Sequence, residues 1–186
     1  DSEKMYNNLM NRYKFGKIDN PDIYLDETVM RMCQTHRRMF VQVAGQLIKE
    51  GKYDKAKKAL DYSLQVIPST TVPHSYAASS SKEMADQYIA LGDTVTAQQI
   101  LGDLANNSVE YATWYLSLND SQFTNSYYEC GQNLLMLDEI CKSLARISTI
   151  GETNKEEQDQ VTDMALHYAK KFEELYHMFN ERIGKK

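Results

Sequence analysis

The sequence predicts an all-α chain built as a stack of helical hairpins, on three observations. A short residue pattern occurs twice. Gly51, Tyr53, Ala56, Leu60, Ser63, Leu64 and Pro68 form one copy and Gly92, Thr94, Ala97, Leu101 and Leu104 the other, with Gly92 and Ala97 each 41 residues beyond Gly51 and Ala56. Apolar residues recur at helical spacing through most of the 186 residues. Glycine and proline are scarce, at 8 and 3, and no β-branched alternating run marks a strand. Repeated units of this length bury their apolar faces against neighbours, and such stacks more often hold partners than perform chemistry.

Taken in order, residues 1–25 read as an N-terminal extension. Tyr6, Leu9, Met10, Tyr13 and Phe15 are spaced for a helix, and Asp19-Asn20-Pro21-Asp22 marks a turn. The first hairpin spans 26–68. Its first helix begins near Asp26 with Val29, Met30, Met32 and Cys33, continues through Phe40, Val43, Ala44, Leu47 and Ile48, and stops at Gly51. Its second helix covers about Asp54–Ile67, where Ala56 and Ala59 permit close helix approach and Pro68 ends the run. Ser69–Ser81 reads as a long connection, with Ser80 and Glu83 as a capping box for the next helix. A connection of that length is either functional or a spacer that resets the packing angle. The second hairpin spans 78–109. Val109–Leu118 then forms a short apolar stretch, interrupted by Asn119-Asp120-Ser121. Residues 110–182 form a long third hairpin or cap. One helix runs from about Gln122 to Ile147, Gly151 stops it, Thr153 with Glu156 forms a second capping box, and the last helix reaches about Arg182. The whole chain, 1–186, is expected to be a single helical-repeat domain.

Residues 37–68 resemble the tetratricopeptide repeat. Phe40, Ala44, Gly51, Tyr53, Ala56, Leu60, Ser63 and Pro68 stand at its consensus positions, with Ser63 in place of a preferred alanine. Residues 78–109 match less fully, through Ala85, Tyr88, Gly92, Ala97, Leu101 and Leu104. The resemblance implies a right-handed solenoid of helix pairs whose groove is lined by the first helix of each pair.

Composition narrows the function. The net charge is −5 and no basic cluster exceeds Arg37-Arg38 or Lys57-Lys58, which disfavours nucleic-acid binding. No apolar run is long enough to insert in a membrane. No signal peptide is recognisable and the first residue is not Met, so the chain is expected to be a processed or excised piece. Cys130 and Cys141, 11 residues apart on one predicted helix, lie too far apart to bond, and all three cysteines are expected to be buried thiols. His36, His74, His167 and His177 are scattered, with no spacing for a metal site. No nucleophile elbow or phosphate loop is present. No catalytic residue, cofactor or metal is expected.

Candidate binding residues remain. On the repeat register, Arg38, Val41, Gly45, Ile48 and Lys49 of the first unit and Lys82, Asp86, Ile89 and Ala90 of the second line the groove. Arg38, Lys49 and Lys82 are candidates to meet an acidic or C-terminal carboxylate; a solvated polar face is the equal alternative. Tyr111, Trp114 and Tyr115, with Phe123, Tyr127 and Tyr128, are candidates to stack on a sugar ring or grip a peptide, although packing between long helices is the simpler expectation.

The segments Met5-Tyr6-Asn7-Asn8-Leu9-Met10, Tyr24-Leu25-Asp26-Glu27, Met30-Arg31-Met32 and Thr35-His36-Arg37-Arg38-Met39-Phe40 are similar to the C-terminal soluble region of a family of large multi-pass membrane proteins from Bacteroidetes. The membrane part of that family resembles the glycosyltransferase-C fold of protein O-mannosyltransferases. This resemblance implies a non-catalytic tail on the periplasmic side of the inner membrane, attached to a membrane-anchored parent. Its partner would be a protein or peptide, or a glycan or lipid-linked sugar. The other expectation is an independent scaffold or co-chaperone-like protein, cytoplasmic, that binds peptide termini in its groove.

Overall fold

The structure, a computed structural model, describes residues 1–150 and 155–184, and all regular structure among them is helical. The helices are α1 (Ser2–Asn7), α2 (Glu27–Lys49), α3 (Tyr53–Val66), α4 (Ala78–Ala90), α5 (Thr94–Ser117), α6 (Asp120–Ser148) and α7 (Lys155–Ile183). A π-helical turn, Asn8–Arg12, follows α1, and a 3-10 turn, His74–Ala77, leads into α4. The chain forms two compact units, Asp1–Ala97 and Gln98–Lys186, and α5 passes from one into the other. Gly151 and the Thr153 capping box lie outside the described residues.

In the first unit, α2 starts where its sequence predicts. Asp26 accepts a hydrogen bond from the Val29 amide at 2.8 Å, and Glu27 adds negative charge to the first turn. Cys33, Arg37, Phe40, Ala44 and Leu47 form its buried stripe. Its end is a Schellman motif. Gly51 has φ +71°, its amide donates to Ile48 O, and the Lys52 amide donates to Leu47 O. The same motif closes α4, where Gly92 has φ +81° and the Gly92 and Asp93 amides donate to Ile89 O and Tyr88 O. The repeated glycine thus repeats one backbone geometry. α3 turns back along α2, and the fully buried Ala56 and Ala59 allow their close contact. Ahead of them, the N-terminal segment packs on α2 through buried Leu9, while Phe15 meets His36, Phe40 and Tyr62.

α4 rests on both helices of the first hairpin. Gln87 Nε2 donates to Val41 O of α2 at 2.9 Å. Tyr88 Oη donates to Asp61 of α3 at 2.9 Å, and Lys57 of α3 pairs with Asp93 at 2.6 Å. Consequently α4 runs parallel to α2 and antiparallel to α3.

The connection into α4 differs from the sequence expectation. It is short, occupying residues 67–73, because the chain re-enters helical geometry at His74 directly after Pro73. Ser80 therefore lies inside α4, and the expected Ser80–Glu83 capping box does not form. Buried Ile67 and Val72 anchor the connection against Cys33. Its carbonyls are held by Arg37, which is fully buried. Arg37 donates to Ile67 O at 3.0 Å, Val72 O at 2.7 Å and Pro73 O at 3.3 Å. Beside it, His74 is buried and its Nδ1 lies 3.2 Å from Ser81 Oγ.

In the second unit α5, α6 and α7 pack together. α6 begins with Asn119 capping the Gln122 amide at 3.0 Å. α7 runs antiparallel to α6, with Phe179 within 3.5 Å of where a side chain at Gly131 would begin. It runs parallel to α5: Met164 approaches Gly102, Tyr168 Oη donates to Asn106 at 2.8 Å, and Arg182 donates to Leu116 O and Leu118 O at 2.8 Å each. Arg182 also pairs with Asp120 at 2.9 Å and lies over the Phe123 ring. The α5–α6 corner is therefore clamped by one side chain. The stretch expected to be separate, 109–118, is the last part of a 24-residue α5, so the second hairpin continues well past residue 109. Its inward stripe, Ala105, Ser108, Ala112 and Leu116, keeps the helical register across that boundary.

Two predictions follow from these buried polar groups. Ser63 is fully buried and its Oγ has no hydrogen-bond partner, at a position where the repeat consensus prefers alanine. Ser63→Ala should raise unfolding stability by about 1 kcal/mol in denaturant melts, since it removes an unsatisfied hydroxyl and improves helix propensity. A loss of stability would show that the hydroxyl is satisfied in solution. His74 is held down at about 4, against an ordinary 6.5, because burial strips the imidazolium of water and the Arg37 guanidinium repels it. Burial shifts His36 in the same direction. The folded protein refuses protons that the unfolded chain accepts below pH 6.5. The stability from neutral His74 is therefore complete above pH 6.5 and is lost as pH falls towards 4, by on the order of 3 kcal/mol. His74→Asn should flatten this slope between pH 6.5 and 4.5; an unchanged slope would contradict the assignment.

Candidate groove between the first helices of the two hairpins

Because α2 and α4 are parallel, each presents a polar stripe to one side of the first unit. On α2 the stripe is Arg31, Gln34, Thr35, Arg38, Gln42, Gly45, Gln46 and Lys49, at helical spacing and offset from the buried stripe. On α4 it is formed by Ser79, Ser80, Glu83, Asp86 and Ala90. The closest approach is at Gly45. A Cβ there would come within 2.9 Å of Gln87 Nε2, so the missing side chain lets Gln87 reach the Val41 carbonyl. Gln87 Oε1 is buried and has no hydrogen-bond partner.

Two concavities open along this face. One, of about 420 Å³, is lined by Gly45, Ile48, Lys49, Asp86, Gln87 and Ala90. The other, of about 290 Å³, lies towards the start of both helices and includes Arg38, Thr35, Ser79 and Ser80. Arg38 and Lys49 are separated by about 16 Å along α2, at the helical rise per residue.

The structure brings most of the sequence-predicted groove residues to this face, with three corrections. Val41 of α2 and Ile89 of α4 are buried, so they belong to the packed interior of the unit and not to the open face. Lys82 does not offer a free charge; its side chain is mostly buried and pairs with Asp86 at 2.7 Å. Arg38 and Lys49 remain exposed cations, with no ion pair among the described residues. Lys82 and Asp86 neutralise each other between the two cations, and exposed Glu83 adds a carboxylate to the lining of the larger concavity. Neither serine of the smaller concavity is a binding candidate by sequence, where Ser79 reads as connection and Ser80 as a helix N-cap, whereas both lie in the first turn of α4.

The aromatic residues of the second unit require a different correction. Trp114 is 53 % exposed, Tyr111 46 % and Tyr128 65 %. Tyr127 is exposed as well, and Tyr115 is half-buried against the edge of Trp114, with ring centroids 4.8 Å apart. Of the six aromatics, only Phe123 is a core residue. Tyr111, Trp114 and Tyr115 are kept out of the core because small residues, Ala105, Ser108 and Ala112, occupy the inward stripe of α5; on α6 the inward positions are Phe123, Cys130 and Leu134.

The thiols are chemically quiet. Cys33, Cys130 and Cys141 are free, and burial raises all three, the latter two to about 11. Cys33 and Cys130 are buried as expected, and Cys141 is half-buried. Among the described residues, no group of three or more His, Cys, Asp or Glu is placed to hold a metal, and no helix is long and apolar enough to cross a membrane. No family model matches the chain, and neither curated proteins nor solved structures include a similar one.

Proposed function

We propose that the chain is a non-catalytic binding module in which α2–α3 and α4–α5 are two tetratricopeptide-like units and α6–α7 is an elongated cap. The groove between α2 and α4 holds a segment of a partner protein. One observation carries this reading: the Gly45–Gln87 contact sets two parallel helices so that an open concavity of about 420 Å³ remains between their polar stripes. Its floor is partly apolar, through Ile48 and Ala90, and its rim carries Lys49 and the Lys82–Asp86 pair. An extended segment with alternating apolar and polar side chains matches this lining. The Schellman motif repeated at Gly51 and Gly92, and the seating of α4 on both α2 and α3, favour the repeat reading over an unrelated bundle.

The parent of this module is proposed to be a membrane-anchored, glycosyltransferase-like protein, with the module on the periplasmic side. This rests on the resemblance of residues 5–10 and 24–40. Many apolar stretches of ~20 residues in the coding frame upstream of Asp1 would support that placement, and a short frame without them would remove it.

Random-peptide display against the full chain tests the groove. Enriched peptides should bind saturably, and Ala90→Trp, which fills the larger concavity at an exposed position, should weaken them by about tenfold, equivalent to 1.4 kcal/mol. The melting temperature should be unchanged. Equal binding by Ala90→Trp, or turnover of a sugar donor by the isolated chain, would overturn the reading.

A further inference from the structure

We infer that the smaller concavity is a binding site for a tetrahedral oxyanion, a phosphate or sulfate group borne by the ligand. This deepens the groove reading and rests on it. The concavity of about 290 Å³ is lined by Gln34, Thr35, Arg38, Tyr76, Ser79 and Ser80, with Ala78 completing it, and none of these is a carboxylate.

The donors are distributed in a particular way. Thr35 has spent its hydroxyl proton on Arg31 O at 3.1 Å, and Gln34 Nε2 donates to Tyr76 O. Among the described residues, Arg38, Ser79 and Ser80 have no side-chain hydrogen-bond or ion-pair partner, so a guanidinium and two hydroxyls are left facing one cavity. Neighbouring cations are committed. Arg31 is paired with Glu27 at 2.5 Å, Arg37 is buried on backbone carbonyls, and Lys82 is held by Asp86. In a chain of net charge −5, an exposed arginine in a pocket free of carboxylates is a site of locally positive potential.

Geometry decides which anion fits. The guanidinium comes from α2 and the hydroxyls from the first turn of α4, so donors approach from two directions. A planar carboxylate that pairs edge-on with a guanidinium keeps its acceptor oxygens in that plane, away from the hydroxyl donors of the opposite wall. A phosphate or sulfate presents oxygens to both walls, and guanidinium–phosphate bonds are among the strong charge-assisted ones. The cavity leaves room beside the anion for the group that carries it, and the larger concavity lies further along the same two helices. The pocket exists because His74 restarts helical geometry directly after Pro73, which brings Ser79 and Ser80 opposite Arg38.

The test is an amide NMR titration of the full chain with inorganic phosphate, sulfate and acetate, on wild type, Arg38→Gln, the double variant Ser79→Ala/Ser80→Ala, and Lys58→Gln on the exposed side of α3. Phosphate or sulfate should give saturable shifts confined to residues 34–38 and 76–81, with acetate binding about tenfold more weakly. Arg38→Gln should weaken phosphate by about tenfold or more, the double serine variant should weaken it severalfold, and Lys58→Gln should leave it unchanged. Unsaturable shifts, equal affinity for acetate, or an unchanged Arg38→Gln titration would overturn the inference. Retained melting temperatures keep a negative result from being a folding failure. Peptide capture that persists without phosphate binding would overturn this inference alone; phosphate binding that persists without peptide capture would overturn the groove reading alone.

Discussion

Everything in the first unit depends on a buried guanidinium with no carboxylate. Arg37 is fully enclosed, and its donors go to the carbonyls of Ile67, Val72 and Pro73. Burial lowers its pKa to about 10, so it stays charged at neutral pH. Desolvating such a charge is costly, and three carbonyl dipoles recover only part of that cost. The arrangement persists because both sides need each other. A turn that buries Ile67 and Val72 must satisfy its inward carbonyls, and the cation needs acceptors. Arg37 also keeps its Nε without a partner, so the fit is adequate without being complete.

From that constraint the groove follows. The carbonyl clamp holds the 67–73 connection against α2, His74 then starts the 3-10 turn, and α4 is delivered parallel to α2. Lower down, Gly45 and Gln87 set the separation of the two helices. Arg37 and Arg38 illustrate how one turn of helix divides labour. Adjacent residues point about 100° apart at 3.6 residues per turn, so one arginine builds the scaffold and the next faces the ligand. The neutral buried His74 belongs to the same scaffold, which ties the geometry of the groove to pH.

Local signals in the sequence were sufficient for most of the helical framework. Asp26, Gly51, Pro68, Gly92 and Asn119 mark ends by their own backbone chemistry, and those ends lie within a residue or two of expectation. Where tertiary contacts decide, the reading failed. Ser80 and Glu83 carry a capping-box pattern, but the 3-10 turn supplies the helical start at His74, six residues before Ser80. Tyr111, Trp114 and Tyr115 are hydrophobic enough for a core, yet the inward positions of α5 belong to smaller residues. The site was half legible. Arg38 and Lys49 could be placed from the repeat register, whereas the Lys82–Asp86 pairing and the burial of Arg37 depend on what surrounds each side chain. The i,i+4 spacing of Lys82 and Asp86 is the one signal in the sequence from which their pairing could have been read, although the repeat register assigns both to the groove lining.

Native-state hydrogen exchange on Arg37→Met tests the central claim most directly. Methionine retains an apolar stem along the path of the arginine methylenes and removes the guanidinium with its donors. If the guanidinium positions α4, protection should fall selectively across residues 67–90, while α6 and α7 exchange as in the wild type. Unchanged protection in 67–90, or an even loss throughout the chain, would contradict the role assigned to Arg37.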